Sequence, residues 1–230
     1  MNQNKTFFQT LIHELNAPLN AVDGYLRLMH EKQAGNDIEA YFEMLERSII
    51  RIEEMKQLVS KLLEYSISKH TETNISEFDL VELVHNAIET VQQLLNQKNI
   101  QIFIHPNKKV NLSADMSDFE IILNNLISNA AKYNCLKGTI NIYIDFSNNS
   151  LNIKIIDTGI GMSDEEKAIV FDEFVRIRNK NTKEIAGHGL GLSIVKNIVN
   201  SYNGSIELQS IQYKGTTVIV SLPWPLKKEK

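Results

Sequence analysis

Near the start of the chain, apolar residues recur at steps of three and four: Phe8, Leu11, Leu15, Leu19, Val22, Leu26 and Met29. That spacing lays them along one stripe of an α-helix. The pattern breaks at Gly35-Asn36-Asp37, where Asn36 or Asp37 suits an N-cap. A second stripe then follows with Tyr41, Leu45, Ile49, Ile52, Met55, Val59 and Leu62. Two long helices joined by a short turn predict an antiparallel hairpin. A single hairpin leaves much of both stripes in water. The expected solution is a pair of hairpins closing into a four-helix bundle, and hence a homodimer.

Ser68-Lys69-His70-Thr71-Glu72-Thr73-Asn74 is polar and lacks an apolar period, which marks a domain boundary. The chain is thus divided into a hairpin over 1–69, a linker over 70–77 and a second domain over 78–226. In the second domain Ile75 to Leu80 starts a strand, Val81 to Asn96 reads as one helix and Ile100 to Ile104 alternates like a strand. Asp115 to Asn134 is a helix. Thr139 to Phe146 and Leu151 to Ile156 are strands joined through Ser147-Asn148-Asn149-Ser150. Gly189 to Tyr202 is a helix, and Ser205 to Ser210 with Thr216 to Leu222 forms a last hairpin before Pro223. The class is α+β: a helical hairpin, then an α/β sandwich with helices on one face of the sheet.

Composition narrows the function. The 24 basic and 28 acidic residues give a net charge of −4, which argues against a nucleic-acid partner. The single cysteine, Cys135, rules out an internal disulfide and fits a reducing, cytoplasmic compartment. No apolar run approaches the roughly 20 residues that span a bilayer. If the parent protein is a membrane sensor, its sensing and spanning parts lie outside this chain.

Four stretches carry candidate chemistry. His13 stands two residues from both Leu11 and Leu15, so it points away from the apolar seam, next to Glu14. A proline inside a helix costs about 3 kcal/mol, so Pro18 just after it suggests that local geometry there serves a purpose. Asn125 and Asn129, four apart, share a helix face that Lys132 and Tyr133 continue. Their amide oxygens are hard ligands of the kind Mg²⁺ takes alongside substrate phosphates. Asp157 ends an apolar strand, and Gly159 and Gly161 let the backbone after it turn and approach a ligand. Gly187-His188-Gly189-Leu190-Gly191-Leu192 leads straight into a helix, whose first N–H groups make an anion site. The dinucleotide fingerprint G-x-G-x-x-G between strand and helix does not fit it. The basic, polar run Arg176 to Lys183 between the glycine stretches reads as a lid.

In this order the four stretches resemble the signature boxes of the sensor histidine kinases of two-component signalling, and the resemblance covers about Phe7 to Leu222. It implies a dimerisation and phosphoacceptor hairpin followed by the GHKL ATP-binding fold. That fold is shared with type II topoisomerases, ninety-kilodalton heat-shock chaperones and mismatch-repair ATPases. By resemblance, His13 accepts phosphate from ATP and Glu14 is its acid–base partner. Asn129 holds Mg²⁺ with Asn125 in support, Lys132 meets phosphate and Tyr133 lies against adenine or ribose. Asp157 accepts the adenine amino hydrogen. The loop Gly187, Gly189, Leu190 and Gly191 cradles phosphates, and Arg176 stabilises the transferring phosphoryl group, a role Arg178, Lys180 or Lys183 equally suits. The phosphate then passes to an aspartate of a response-regulator receiver domain.

Two departures matter. Where the family commonly has Thr or Asn one turn after the histidine, Ala17 offers no polar atom to position water, which weakens a phosphatase reading. Where ATP-hydrolysing relatives carry glutamate, Asn125 cannot act as a base, which favours transfer over hydrolysis. Two rival readings stay open. Asn129, Asp157 and the glycine pattern oppose a catalytically dead scaffold; His13 and Asn125 oppose a non-kinase GHKL ATPase.

Overall fold

The computed structural model describes residues 2–35, 37–68, 74–105, 109–177, 179, 182, 185 and 187–228, without the side chains of residues 2–6, 8, 67 and 68. Asn36, most of the polar stretch after Ser68, and Arg178, Lys180 and Lys183 of the lid lie outside the described residues. The chain forms two compact units, divided between Leu63 and Glu64.

The first unit is the hairpin: α1 (Asn2–His30) and most of α2 (Ile38–Ser68). The Asp37 carboxylate accepts the Ala40 N–H at 3.1 Å, the N-cap that the turn predicts. Helix α1 runs on through Pro18. Inside the hairpin Val22, Ser48 and Leu58 are buried, and the Ser48 hydroxyl donates back to the Met44 carbonyl at 2.8 Å. The apolar stripes divide between two environments. Leu11, Leu15, Met29, Tyr41, Met55 and Leu62 are half-buried, whereas Leu19, Leu26, Leu45, Ile49, Ile52 and Val59 are exposed, together with Ile12 and Leu63. The sequence pattern had merged the seam of one hairpin with a second apolar face.

In the second unit a five-stranded sheet runs in the order β2 (Gln101–His105), β4 (Thr139–Ser147), β5 (Ser150–Asp157), β7 (Gly215–Pro223), β6 (Ser205–Ile211). β2 and β4 are parallel and the other pairs antiparallel. Alternation decides the faces: Ile140, Ile142 and Ile144 of β4 are buried under the helices, and Tyr143 between them and Asp145 after them are exposed. The helical layer holds α5 (Met116–Lys132) between α3 (Leu80–Thr90) and α7 (Gly191–Ser201). Phe119, Ile122, Leu123 and Ile127 of α5 are fully buried.

Three elements differ from the sequence expectation. The helix expected over Val81 to Asn96 is two: α3, then α4 (Gln92–Lys98), parted at Val91, whose backbone leaves the helical region (φ −111°, ψ 6°). Residues Asn111–Asp115 form a strand, β3, paired antiparallel with β1 (Ile75–Asp79) as a separate two-stranded sheet. A short helix, α6 (Asp164–Ile169), starts at Ser163 with a capping box to Glu166.

Candidate functional site

The glycine loop and the asparagine helix meet at one point. A Cβ on Gly191, the first residue of α7, would stand 2.7 Å from Asn125 Oδ1, so only glycine lets the helix N-terminus come this close. Asn125 is buried, and its Nδ2 donates to the Ile121 carbonyl at 2.8 Å and to the Glu64 carboxylate at 3.3 Å. The amide is thus held in one orientation with its oxygen toward α7. Asn129 and Lys132 follow along α5, both half-buried. The N-cap residue of α7, Leu190, makes no side-chain cap hydrogen bond, and a helix N-terminus is a place where an anion is favoured. The Leu190 side chain is core, 1% exposed, so only its backbone can serve a ligand there. Gly189 has a left-handed φ of +70°, and a Cβ on it would meet the Val175 carbonyl at 2.5 Å. A Cβ on Gly187 meets nothing within 4 Å, so packing does not demand glycine at that position.

Asp157 stands at the end of β5, where its Oδ1 accepts the Gly159 N–H at 2.8 Å and the Thr216 N–H at 3.3 Å. Burial raises its carboxyl to about 6, against the lowering effect of those two backbone donors. Gly159 lies flat on Tyr133: a Cβ there would be 2.3 Å from the Tyr133 carbonyl, which accepts the Ile160 N–H at 3.0 Å. Gly161 turns at φ +60° beside the Ile211 carbonyl. Tyr133 caps the end of α5, and burial raises its hydroxyl while Arg176 opposes the rise. Arg176 is thus within electrostatic range of Tyr133. Its Nη2 also donates to the Ile185 carbonyl at 2.6 Å, closing the lid segment on itself.

Asn125, Asn129, Lys132, Tyr133, Asp157, Gly159, Arg176 and the start of α7 thus belong to one unit, at the ends of α5, β5 and α7. The arrangement provides a hard amide oxygen, a helix N-terminus suited to phosphate and a half-buried carboxylate acceptor. Among the described residues no three His, Cys, Asp or Glu side chains cluster as metal ligands. A cation there would be held by amides and ligand phosphates, which the Asn125–Asn129 face fits. His13 and Glu14 lie in the other unit, on α1, with His13 exposed and Glu14 half-buried.

Sequence reading passed over four residues that shape the site. Glu64 touches Asn125; Thr216 donates its N–H to Asp157; Tyr65 donates to Glu173 at 2.5 Å; and Lys98 gathers the carbonyls at the end of α5. All four act over long sequence separations, and no local motif announces them.

The family model of the His Kinase A (phospho-acceptor) domain matches residues 3–71, and that of the histidine kinase-, DNA gyrase B- and HSP90-like ATPases matches residues 114–226. The chain is 31% identical over 232 residues to the sensor histidine kinase WalK of Bacillus subtilis (strain 168). That match takes in 99% of this chain but 38% of WalK, so the chain spans well under half of that relative. Among solved structures, the histidine kinase AdeS of Acinetobacter baumannii shares the fold with a TM-score of 0.70 at 21% identity, covering 93% of this chain and 98% of that one. Histidine kinase ThkA, in a complex with the response regulator protein TrrA, does so with a TM-score of 0.72 at 22% identity, covering 95% of this chain and 61% of that one.

Proposed function

Because the chain belongs to the sensor histidine kinases of two-component systems, we propose that it binds ATP in the second unit and transfers the γ-phosphoryl group to His13. The observation that carries this is the contact of Gly191 with Asn125. It sets the anion-binding end of α7 against the amide face of α5, as nucleotide phosphates with a shared cation require. Asn129, with Asn125 behind it, would hold Mg²⁺, which when bound neutralises charge on the phosphates. Asp157 accepts the adenine amino hydrogen, Tyr133 lies against the base and Lys132 faces phosphate. Gly159, Gly161, Gly187, Gly189 and Gly191 let the backbone approach.

His13 attacks as the neutral imidazole, and Glu14 stabilises the charge that develops on the ring. Arg176 leaves the Ile185 carbonyl to meet the transferring group. With no carboxylate at position 125 to activate water, the phosphoryl group goes to the protein nucleophile. The hairpin pairs with a second copy, and phosphate passes from His13 to a receiver-domain aspartate of a response regulator. The described helices contain none long and apolar enough to cross a membrane; the chain is read as the cytoplasmic part of a sensor whose anchoring segments lie elsewhere.

The test is incubation with γ-labelled ATP and Mg²⁺, followed by acid and alkali treatment. Label that is acid-labile, alkali-stable and absent from His13→Gln is expected. Label persisting in that variant would mean another acceptor.

A further inference from the structure

Lys98 closes α4, and its ammonium donates to three carbonyls at the end of α5: Lys132 at 2.6 Å, Asn134 at 3.1 Å and Ala131 at 3.2 Å. Ala131 and Lys132 are the last residues of α5 and Asn134 follows it, so these carbonyls sit at the negative end of the helix dipole, where partners within the helix run out; that of Ala131 also accepts the Asn134 N–H at 3.4 Å. A single cation answers three of them. The carbonyl skipped is that of Tyr133. With its neighbours drawn toward Lys98, the Tyr133 carbonyl takes the Ile160 N–H at 3.0 Å and forms the floor on which Gly159 lies. Gly159 in turn donates to Asp157 at 2.8 Å.

The same segment is tied a second time. The Lys98 carbonyl accepts the Lys137 N–H at 2.8 Å, and Gln101 N–H donates to the Gly138 carbonyl at 3.0 Å. Behind it Asn134 donates to the Thr139 carbonyl at 3.1 Å, and its Oδ1 accepts the Cys135 N–H at 3.0 Å and the Thr158 hydroxyl at 3.2 Å. The wall carrying Tyr133 and Asp157 is therefore suspended on backbone groups, and Lys98 is the one charged side chain among the bonds described above that ties it to α4.

We infer that Lys98 is a positioning residue for the nucleotide base: by gathering the carbonyls on either side of Tyr133 it sets the seat of Gly159 and so the place of Asp157. This rests on the reading of Tyr133 and Asp157 as the adenine wall. Lys98 touches neither base nor phosphate, and none of its three bonds goes to Asn129 or to the start of α7; of the phosphate side it holds only the backbone of Lys132. Its loss should show in nucleotide affinity and leave the transfer step alone.

The full chain with Lys98→Met should bind Mg-ADP about tenfold more weakly by calorimetry, the scale of one lost charge-assisted hydrogen bond. In autophosphorylation the KM for ATP should rise alike while kcat stays within about twofold. Lys98→Arg, which keeps the charge and several donors, should recover most of the affinity. A fall in kcat at unchanged KM would mean a smaller folded fraction and a merely structural lysine, and would overturn the inference, as would unchanged binding. If Lys98→Met does not fold, Lys98→Gln, which keeps one pair of N–H donors, reads the same split. Asp157→Asn is measured in parallel. Weaker binding in Asp157→Asn but not at Lys98 sinks the role of Lys98 alone, whereas unchanged binding in Asp157→Asn removes the adenine wall itself.

Discussion

Phe119, Ile122, Leu123, Ile140, Ile153 and Ile194 of the second unit each expose less than 2% of their surface; among the described residues of the hairpin only Leu58 does. Ile12, Leu19, Leu26, Ile49 and Ile52 of the hairpin are instead 41–59% exposed. The nucleotide unit thus carries its own core, and the phosphoacceptor unit does not. At about 25 cal/mol per Å² of apolar surface, covering this exposed face with the proposed second copy would add hydrophobic stabilisation. The two halves of the proposed reaction therefore depend on different conditions, one on chain concentration and the other on ligand and pH.

The comparison breaks most directly if the hairpin stands alone. The isolated fragment Met1 to Lys69 is expected to be a helical dimer that loses its helix signal cooperatively on dilution, because dimer and fold form together. Light scattering and circular dichroism across a concentration series check this. A folded monomer at micromolar concentration would remove the distinction between the units.

The next effect tests how self-contained the second unit is. Near its end Lys228 meets the Asp118 carboxylate at 2.9 Å, with side chains 5% and 1% exposed, and the Tyr202 hydroxyl donates to Asp118 at 2.8 Å. Burial raises the Asp118 carboxyl, while Lys228 and Tyr202 lower it. Lys228→Met would leave an uncompensated buried carboxylate, at a cost of about 3–5 kcal/mol at neutral pH. Protonation removes that charge, so the loss should shrink as pH falls into the acid range. Denaturant titrations of both proteins at neutral and acid pH read the difference. A pH-independent loss would mean that packing of the lysine stem, not charge, holds the chain end.

At the site itself, Asp157→Asn should weaken nucleotide binding by about ten- to a hundredfold, since it sets a donor against the adenine amino group. The pH dependence follows from the raised carboxyl. The folded value lies near 6 and the ordinary one at 3.8, so holding the charged form costs stability that is lost as pH rises from 3.8 to about 6. Above that range the nucleotide-free Asp157→Asn protein should melt higher than the native chain while binding ATP less well. Below pH 6 the native chain should lose affinity as the acceptor is protonated. A variant that binds normally and melts lower would reverse both signs.

Much of this was legible in the sequence, for local reasons. Apolar period placed α1, α2 and α5, and the turn at Asn148-Asn149 placed β4 against β5. The four boxes named residues that all lie in the second unit, His13 and Glu14 excepted. The misses have physical causes. The apolar period continues through Val91, so it carries no mark of the break between α3 and α4. Strand β3 reads Asn-Leu-Ser-Ala-Asp, weak in strand-forming residues and defined by its pairing with β1. The signal for α6 was present, since Ser163 and Glu166 spell a capping box. Lys98 and Glu64 had none, because their partners lie 33 to 36 and 61 residues away.

The smallest effect expected is at Ala17, where the hairpin's chemistry can be separated from its fold. Position 17 is one turn beyond His13 on the unbroken helix α1, and His13, Asn16, Ala17 and Asn20 are all exposed. Hydrolysis of a phosphorylated receiver needs a polar group that holds water in line with phosphorus, and the alanine methyl has neither donor nor acceptor. Asn16 stands about 100° around the helix from it. The native chain is therefore expected to act as a kinase with little phosphatase activity. Ala17→Thr should raise that activity and leave labelling of His13 unchanged, since an exposed helix position tolerates threonine at about 0.7 kcal/mol or less. The measurement is the decay of purified phosphorylated receiver with and without the chain. Rapid decay with the native protein would sink the idea and turn attention to the amides of Asn16 and Asn20.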